Sequence, residues 1–152
     1  MDAELKSEVE EFASKILRSY FCDSEVDFLI STFAPEIVWM GGGEKQRAEG
    51  REAVASAFRR EKEDLIPCNM SEERYVTLEL GEGLYLCEGD SWIEAKPETK
   101  MVMNVHQRVT FIFRRKGDSF ESVHIHNSID FSAIQDDELF PIESAKESYE
   151  KL

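Results

Sequence analysis

Residues 74–94 read RYVTLELGEGLYLCEGDSWIE, and residues 102–129 read VMNVHQRVTFIFRRKGDSFESVHIHNSI. Each block holds two runs rich in β-branched and aromatic residues, joined by a short glycine-bearing break, Gly81-Glu82-Gly83 in one and Lys116-Gly117-Asp118 in the other. The runs predict strands over Arg74 to Leu80, Leu84 to Glu94, Val102 to Arg115 and Phe120 to Ile129. No helix-length segment separates them. Parallel neighbours need crossovers of about a dozen residues or more, so the four strands form an antiparallel meander.

Ahead of this block the period changes. Leu5, Val9, Phe12, Ala13, Ile16, Leu17 and Tyr20 recur at the three- and four-residue spacing of a one-sided helix. Asp23 and Ser24 offer capping oxygens to a second helix carrying Val26, Leu29, Ile30 and Phe33. Ala34-Pro35 stops that helix, because the residue before a proline avoids the helical region. A short strand from Ile37 to Met40 ends at Gly41-Gly42-Gly43, and a third helix from about Arg51 to Asp64 buries Val54, Ala57 and Phe58. Helices first and a meander second define the α+β class, a curved antiparallel sheet wrapped around the first and third helices. The expected core contains Phe12, Ile16, Val54, Phe58, Val105, Val109 and Ile125.

With 152 residues the chain has the size of one ordinary domain, assigned to residues 1–140. Residues 141–152 space Ile142, Ala145, Tyr149 and Leu152 alternately by three and four, which reads as a short C-terminal helix. A helix ending on such a seam position fits a link to a further domain of a longer protein. The balance of 18 Lys+Arg against 32 Asp+Glu gives a net charge of −14, and a surface of that sign repels phosphate backbones and anionic headgroups. Neither nucleic acid nor membrane is expected as a partner. Cys22, Cys68 and Cys87 are odd in number and lack any paired C-x-x-C spacing, so they fit neither a disulfide framework nor a zinc site. No basic end followed by an apolar run marks a secretion signal, and a cytoplasmic location follows as the expectation. The sequon Asn69-Met70-Ser71 then reads as chance.

All three histidines lie on the last two strands. Alternation puts Asn104, His106, Arg108 and Thr110 on one face, opposite Met103, Val105, Val109, Phe111 and Phe113. On the final strand Ser122, His124, His126 and Ser128 share a face opposite Val123, Ile125, Asn127 and Ile129. With Arg115-Lys116-Gly117 as a three-residue hairpin loop, His106 falls opposite His126 and Arg108 opposite His124. Three imidazoles on one face match a hydrolytic zinc centre, but Arg108 beside them repels a cation and no carboxylate is assigned to orient the rings. Neither metal nor cofactor is therefore expected. Packed histidines in a half-buried face or dimer interface are the plainer reading. Between the two lies a polar pocket in which the planar fork of Arg108 takes a carboxylate. Trp39-Met40-Gly41-Gly42-Gly43-Glu44 lacks the Gly-Lys-Ser/Thr ending of a phosphate loop, and Ser128 has no base and orienting group arranged as a triad.

The order helix, short helix, strand, glycine turn, helix and meander resembles the SnoaL-like group of the nuclear transport factor 2-like superfamily, a cone-shaped α+β fold also called cystatin-like. The resemblance covers nearly the whole chain. Its local marks are Ile37-Val38-Trp39-Met40-Gly41, Arg108-Val109-Thr110 and Val123-His124-Ile125-His126-Asn127-Ser128. The last is similar to the closing strand of the calcium/calmodulin-dependent protein kinase association domain, departing from it at Asn127, where that domain has a pocket arginine. The resemblance implies a concave face closed by helices into a pocket, with Tyr20, Trp39, Arg108, His126 and Asn127 as its ligand-binding candidates. It also implies a homodimer through the outer face of the sheet.

One fold of this kind hosts many activities. The leading expectation is a non-catalytic, dimerising, small-molecule-binding or sensory domain taking a small polar or carboxylate ligand. The alternative is a small acid–base enzyme of isomerase, cyclase or dehydratase type using His126 or His106, with Glu88, Asp90 and Glu94 on a strand whose register is open. A purely structural assembly module needs only the outer face and the tail.

Overall fold

The computed structural model describes residues 1–99 and 104–130. The C-terminal helix expected over residues 141–152, and the boundary drawn at residue 140, lie outside the described residues. Helix α1 spans Ala3–Phe21, its N-terminus capped by Asp2, whose Oδ1 accepts from the Leu5 amide at 2.8 Å. Helix α2 is one short piece, Asp27–Ser31. Strands β1 (Phe33–Met40) and β2 (Arg47–Glu49) precede helix α3 (Arg51–Lys62). Four long strands follow: β3 (Cys68–Gly81), β4 (Leu84–Ala95), β5 (Asn104–Lys116) and β6 (Ser119–Ile129).

The six strands form one curved, unclosed sheet in the order β2-β1-β6-β5-β4-β3. The meander is antiparallel as its short turns require, but β1 joins it by a parallel pairing with β6. Helices α1 and α3 cover one face, α1 over β3 and β4 and α3 over β1 and β2. That inner face holds the core. Ile16, Val54, Phe58, Val109 and Ile125 are buried as expected, while Phe12 and Val105 are half-buried at its margin.

Two local readings change. Phe33 belongs to β1 and not to the second helix: its apolar spacing from Leu29 and Ile30 suits either element, and its pairing with Ser122 decides. Between the pairs Phe33↔Ser122 and Val38↔His124, β1 uses five steps where β6 uses two, and Pro35, which has no N–H to offer a ladder, sits in that irregularity. The β5–β6 hairpin closes in two residues, Gly117 and Asp118, between the paired Lys116 and Ser119. Gly117 takes φ +59°, the conformation such a tight turn needs at its first position.

The three-residue loop expected there is therefore wrong, and so is the register built on it. Arg108 lies opposite Ser128, Thr110 opposite His126 and Ile112 opposite His124. A bulge adds a second change. Phe113 pairs with Ser122 and Ile112 with His124, so Val123 has no residue opposite it. Alternation restarts there: Ser122 turns inward, fully buried with its hydroxyl 2.9 Å from that of Thr32, while His124, His126 and Ser128 turn outward.

Phe113 is fully buried, stacked on Phe111 at 4.8 Å and edge-on to Phe12 at 5.0 Å between ring centroids. Phe113→Ala is expected to cost about 3–5 kcal/mol. Urea denaturation followed by circular dichroism measures the loss, and a cost below about 1 kcal/mol would show that this ring does not tie α1 to the sheet.

Candidate functional site

The five candidate residues divide between the two faces of the sheet. Tyr20, Trp39 and Asn127 lie on the inner side, and Arg108 and His126 on the outer side. On the inner side the Trp39 indole donates to Asn127 Oδ1 at 2.7 Å, tying the end of β1 to the end of β6. The Tyr20 hydroxyl donates to Glu61 Oε2 at 3.3 Å, and Gln46 Nε2 donates to Glu61 Oε1 at 2.8 Å. Phe58 packs against both Trp39 (5.0 Å) and Tyr20 (5.7 Å). Gly41 has no side chain because there is no room for one: a Cβ would stand 2.5 Å from Gln46 Oε1 and 2.9 Å from the Trp39 ring. Burial raises the Glu61 carboxyl above its ordinary value, with the Tyr20 bond opposing, and burial also pushes the Tyr20 phenol up.

Glu61 and Gln46 escaped the sequence reading. A signal for Glu61 was present, since it follows Val54 and Phe58 by seven and three residues, on the stripe of α3 that faces the core.

The outer side is a different environment. Register places Arg74 of β3, Asp90 of β4 and Arg108 of β5 in one row across three strands. Around that row lies an open trough of about 510 Å³, also lined by Glu88, His106, Thr110, His126 and Ser128. Of the three acids left unplaced by sequence, Glu88 and Asp90 line this trough, and Glu94 lines a smaller recess beyond Trp92. Arg74 donates to Asp90 Oδ2 through Nε at 3.2 Å and Nη2 at 3.0 Å.

His106 is held on both ring nitrogens. Nδ1 lies 2.8 Å from Asp130 Oδ2, Nε2 lies 2.9 Å from Asp90 Oδ1, and the ring lies against Trp92 at 4.9 Å. The Asp130 carboxylate, seconded by Asp90, raises the imidazole above its ordinary pKa despite desolvation. In return His106 draws Asp130 below its ordinary value; burial is the largest single influence on Asp90 and raises it, but His106 and Arg74 together outweigh burial and lower it. His124 moves the other way, lowered by burial and by the neighbouring His126. Among the described residues the Arg108 side chain reaches only Asp130, at 3.7 Å, and it is 59% exposed. Among the described residues no three His, Cys, Asp or Glu side chains are grouped as metal ligands. The imidazoles lie with arginines and carboxylates, an arrangement of paired charges along an open polar trough.

The SnoaL-like domain family matches residues 9–132, and the chain belongs to it. Among solved structures it is similar to a nuclear transport factor 2-like protein of unknown function from Pseudomonas putida KT2440, with TM-score 0.71, 17% identity and coverage of 86% of this chain and 90% of that one. It is also similar to a ketosteroid isomerase-like protein from Erwinia carotovora atroseptica SCRI1043, with TM-score 0.68, 16% identity and coverage of 86% and 99%. A third is a putative calcium/calmodulin-dependent protein kinase type II association domain from Thiobacillus denitrificans ATCC 25259, with TM-score 0.63, 16% identity and coverage of 78% and 93%. At these identities the likeness is one of fold. No curated protein matches the chain in sequence.

Because the folded pKa of His106 lies above its ordinary value, its pairing contributes stability that is complete below about pH 6.5 and lost as pH rises through the folded value. The difference in melting temperature between the native chain and His106→Gln is expected to be largest near pH 6 and to shrink as the solution becomes alkaline. A gap that widens with rising pH would contradict the double pairing. On the inner side, Tyr20→Phe removes a bond that holds the Glu61 pKa down, so the Glu61 titration followed by carboxyl NMR is expected to move upward.

Proposed function

We propose that this SnoaL-like domain is a non-catalytic binding module for a small carboxylate-bearing molecule, held in the outer trough. The observation that carries the reading is Arg108: a guanidinium on the floor of a trough of about 510 Å³, its only described ion pair a loose one to Asp130 at 3.7 Å. That volume falls in the range of small-ligand sites, and a guanidinium fork matches a carboxylate. His126, Thr110 and Ser128 supply further polar atoms along the wall. Tyr20, Trp39 and Asn127 serve from behind the sheet. The Trp39–Asn127 bond fixes the end of β6, whose flanking residues His126 and Ser128 face the ligand.

The reading includes a homodimer through the outer face, seated on its β3 side so that the trough stays open. Leu78 stands about half exposed there, with Val76 beside it at the margin of the trough, and such exposed apolar residues support a protein contact. It also includes a cytoplasmic location, supported by three free cysteines among the described residues. No helix of the described residues is long and apolar enough to cross a membrane.

The acid–base alternative keeps one specific observation in its favour, but with a different group. The histidines lie outside the aromatic interior, whereas Glu61, raised by burial and bonded to Tyr20, lies within it. The likeness to a ketosteroid isomerase-like protein belongs beside that observation.

Mass spectrometry of small molecules that co-purify with the chain identifies a ligand, and calorimetric titration tests its anchor. Arg108→Ala is expected to weaken carboxylate binding roughly tenfold, at the lower end for a charge-assisted bond because the site is open to solvent. Unchanged affinity in Arg108→Ala, or a co-purified ligand with no acidic group, would overturn the reading. Light scattering at micromolar concentration is expected to give twice the chain mass.

A further inference from the structure

The two aspartates that grip His106 are shared with the two arginines of the trough. Asp90 offers Oδ1 to His106 and Oδ2 to Arg74, while Asp130 Oδ2 is approached by both His106 at 2.8 Å and Arg108 at 3.7 Å. Ionised carboxylates only accept hydrogen bonds, so both nitrogens of His106 must donate, and only the imidazolium has two N–H groups. A neutral ring would set a lone pair against one carboxylate. The charged or titratable groups around the ring are Arg74 from β3, Glu88, Asp90 and Glu94 from β4, Arg108 on its own strand, and His126 and Asp130 from β6 and its end.

With His106 protonated, three cations (Arg74, Arg108 and His106) face three carboxylates (Glu88, Asp90 and Asp130) around the trough. Removing that proton leaves an excess of negative charge. Asp130 then has Arg108 as its remaining cationic neighbour, so the Arg108 guanidinium is quenched from within, as Arg74 already is by Asp90.

We propose that the trough binds a carboxylate several-fold more tightly while His106 carries its proton, with His106 as a positioning residue that holds Asp130 away from Arg108. This rests on the anion-binding reading of the same trough and adds its control. Because Asp130 and Asp90 raise the His106 pKa, the site stays open to a higher pH than a free imidazole would allow and closes as pH rises through the folded value.

Benzoate is a suitable probe, since its ring has Val76 beside the arginine row to lie against. Its affinity, followed through the side-chain Nε–H signal of Arg108 in NMR, is expected to fall about three- to tenfold as pH rises through the His106 midpoint, read in the same samples from the ring nitrogens. By reciprocity, saturating benzoate raises that midpoint. His106→Gln is expected to show the weak, alkaline affinity already at pH 6. Asp130→Asn lowers the His106 midpoint and restores binding at high pH, because the carboxylate that quenches Arg108 is gone. His126→Asn retains the pH dependence.

Affinity that stays flat across the His106 titration overturns the proposal while leaving an anion site at Arg108. A dependence abolished by His126→Asn assigns the control to His126 and also overturns it. If benzoate moves no Arg108 signal at any pH, the anion-binding reading fails and the control fails with it.

Discussion

Everything described for the two faces depends on how β6 lies along β5. The two-residue turn at Gly117-Asp118 starts the pairing, and the unpartnered Val123 resets its alternation. One extra residue therefore decides that Ser122 meets Thr32 in the core while His124, His126 and Ser128 leave it. A strand without the bulge would bring the histidine face inward or carry Ser122 out, because side chains alternate with a strict period of two. Beside these outward residues the β3–β4 and β4–β5 pairings align Arg74, Asp90 and Arg108 in a row.

Much of the fold was legible because the residues that form it are consecutive and periodic. The seven apolar residues of α1, and the alternation that separates Arg108 and Thr110 from Val109 and Phe111, need no knowledge of a partner. What escaped is what depends on a partner. Val123 is an ordinary strand residue and nothing about it signals a bulge. The early part of β3, Cys68 to Glu73, is mostly polar after Pro67 and reads as loop, yet it extends an edge strand whose solvent-facing positions carry no apolar requirement. The parallel contact of β1 with β6 joins residues about ninety apart, and no local pattern encodes it. The placement of Asp90 and Asp130 on His106 is hidden for the same reason.

The candidate site was legible as residue types but not as one place. Tyr20, Trp39 and Asn127 share an aromatic, hydrogen-bonded interior with Glu61, whereas Arg108 and His126 share a charged trough on the opposite face. The two are not independent. Asn127, which accepts the Trp39 bond, and its outward neighbours His126 and Ser128 are three consecutive residues of β6, so the packed interior sets the geometry of the polar exterior. A shared fold with proteins of quite different description is consistent with this division, since each face is free to take on its own chemistry over a common core.

The central claim is that a carboxylate ligand sits on the outer face beside Arg108 and not in the aromatic interior. Intermolecular nuclear Overhauser effects from the ring protons of bound benzoate locate it directly. The account predicts contacts to the methyl groups of Val76 and Thr110, which flank the trough. Contacts to the Trp39 indole and the Phe58 ring instead would place the ligand behind the sheet and contradict it.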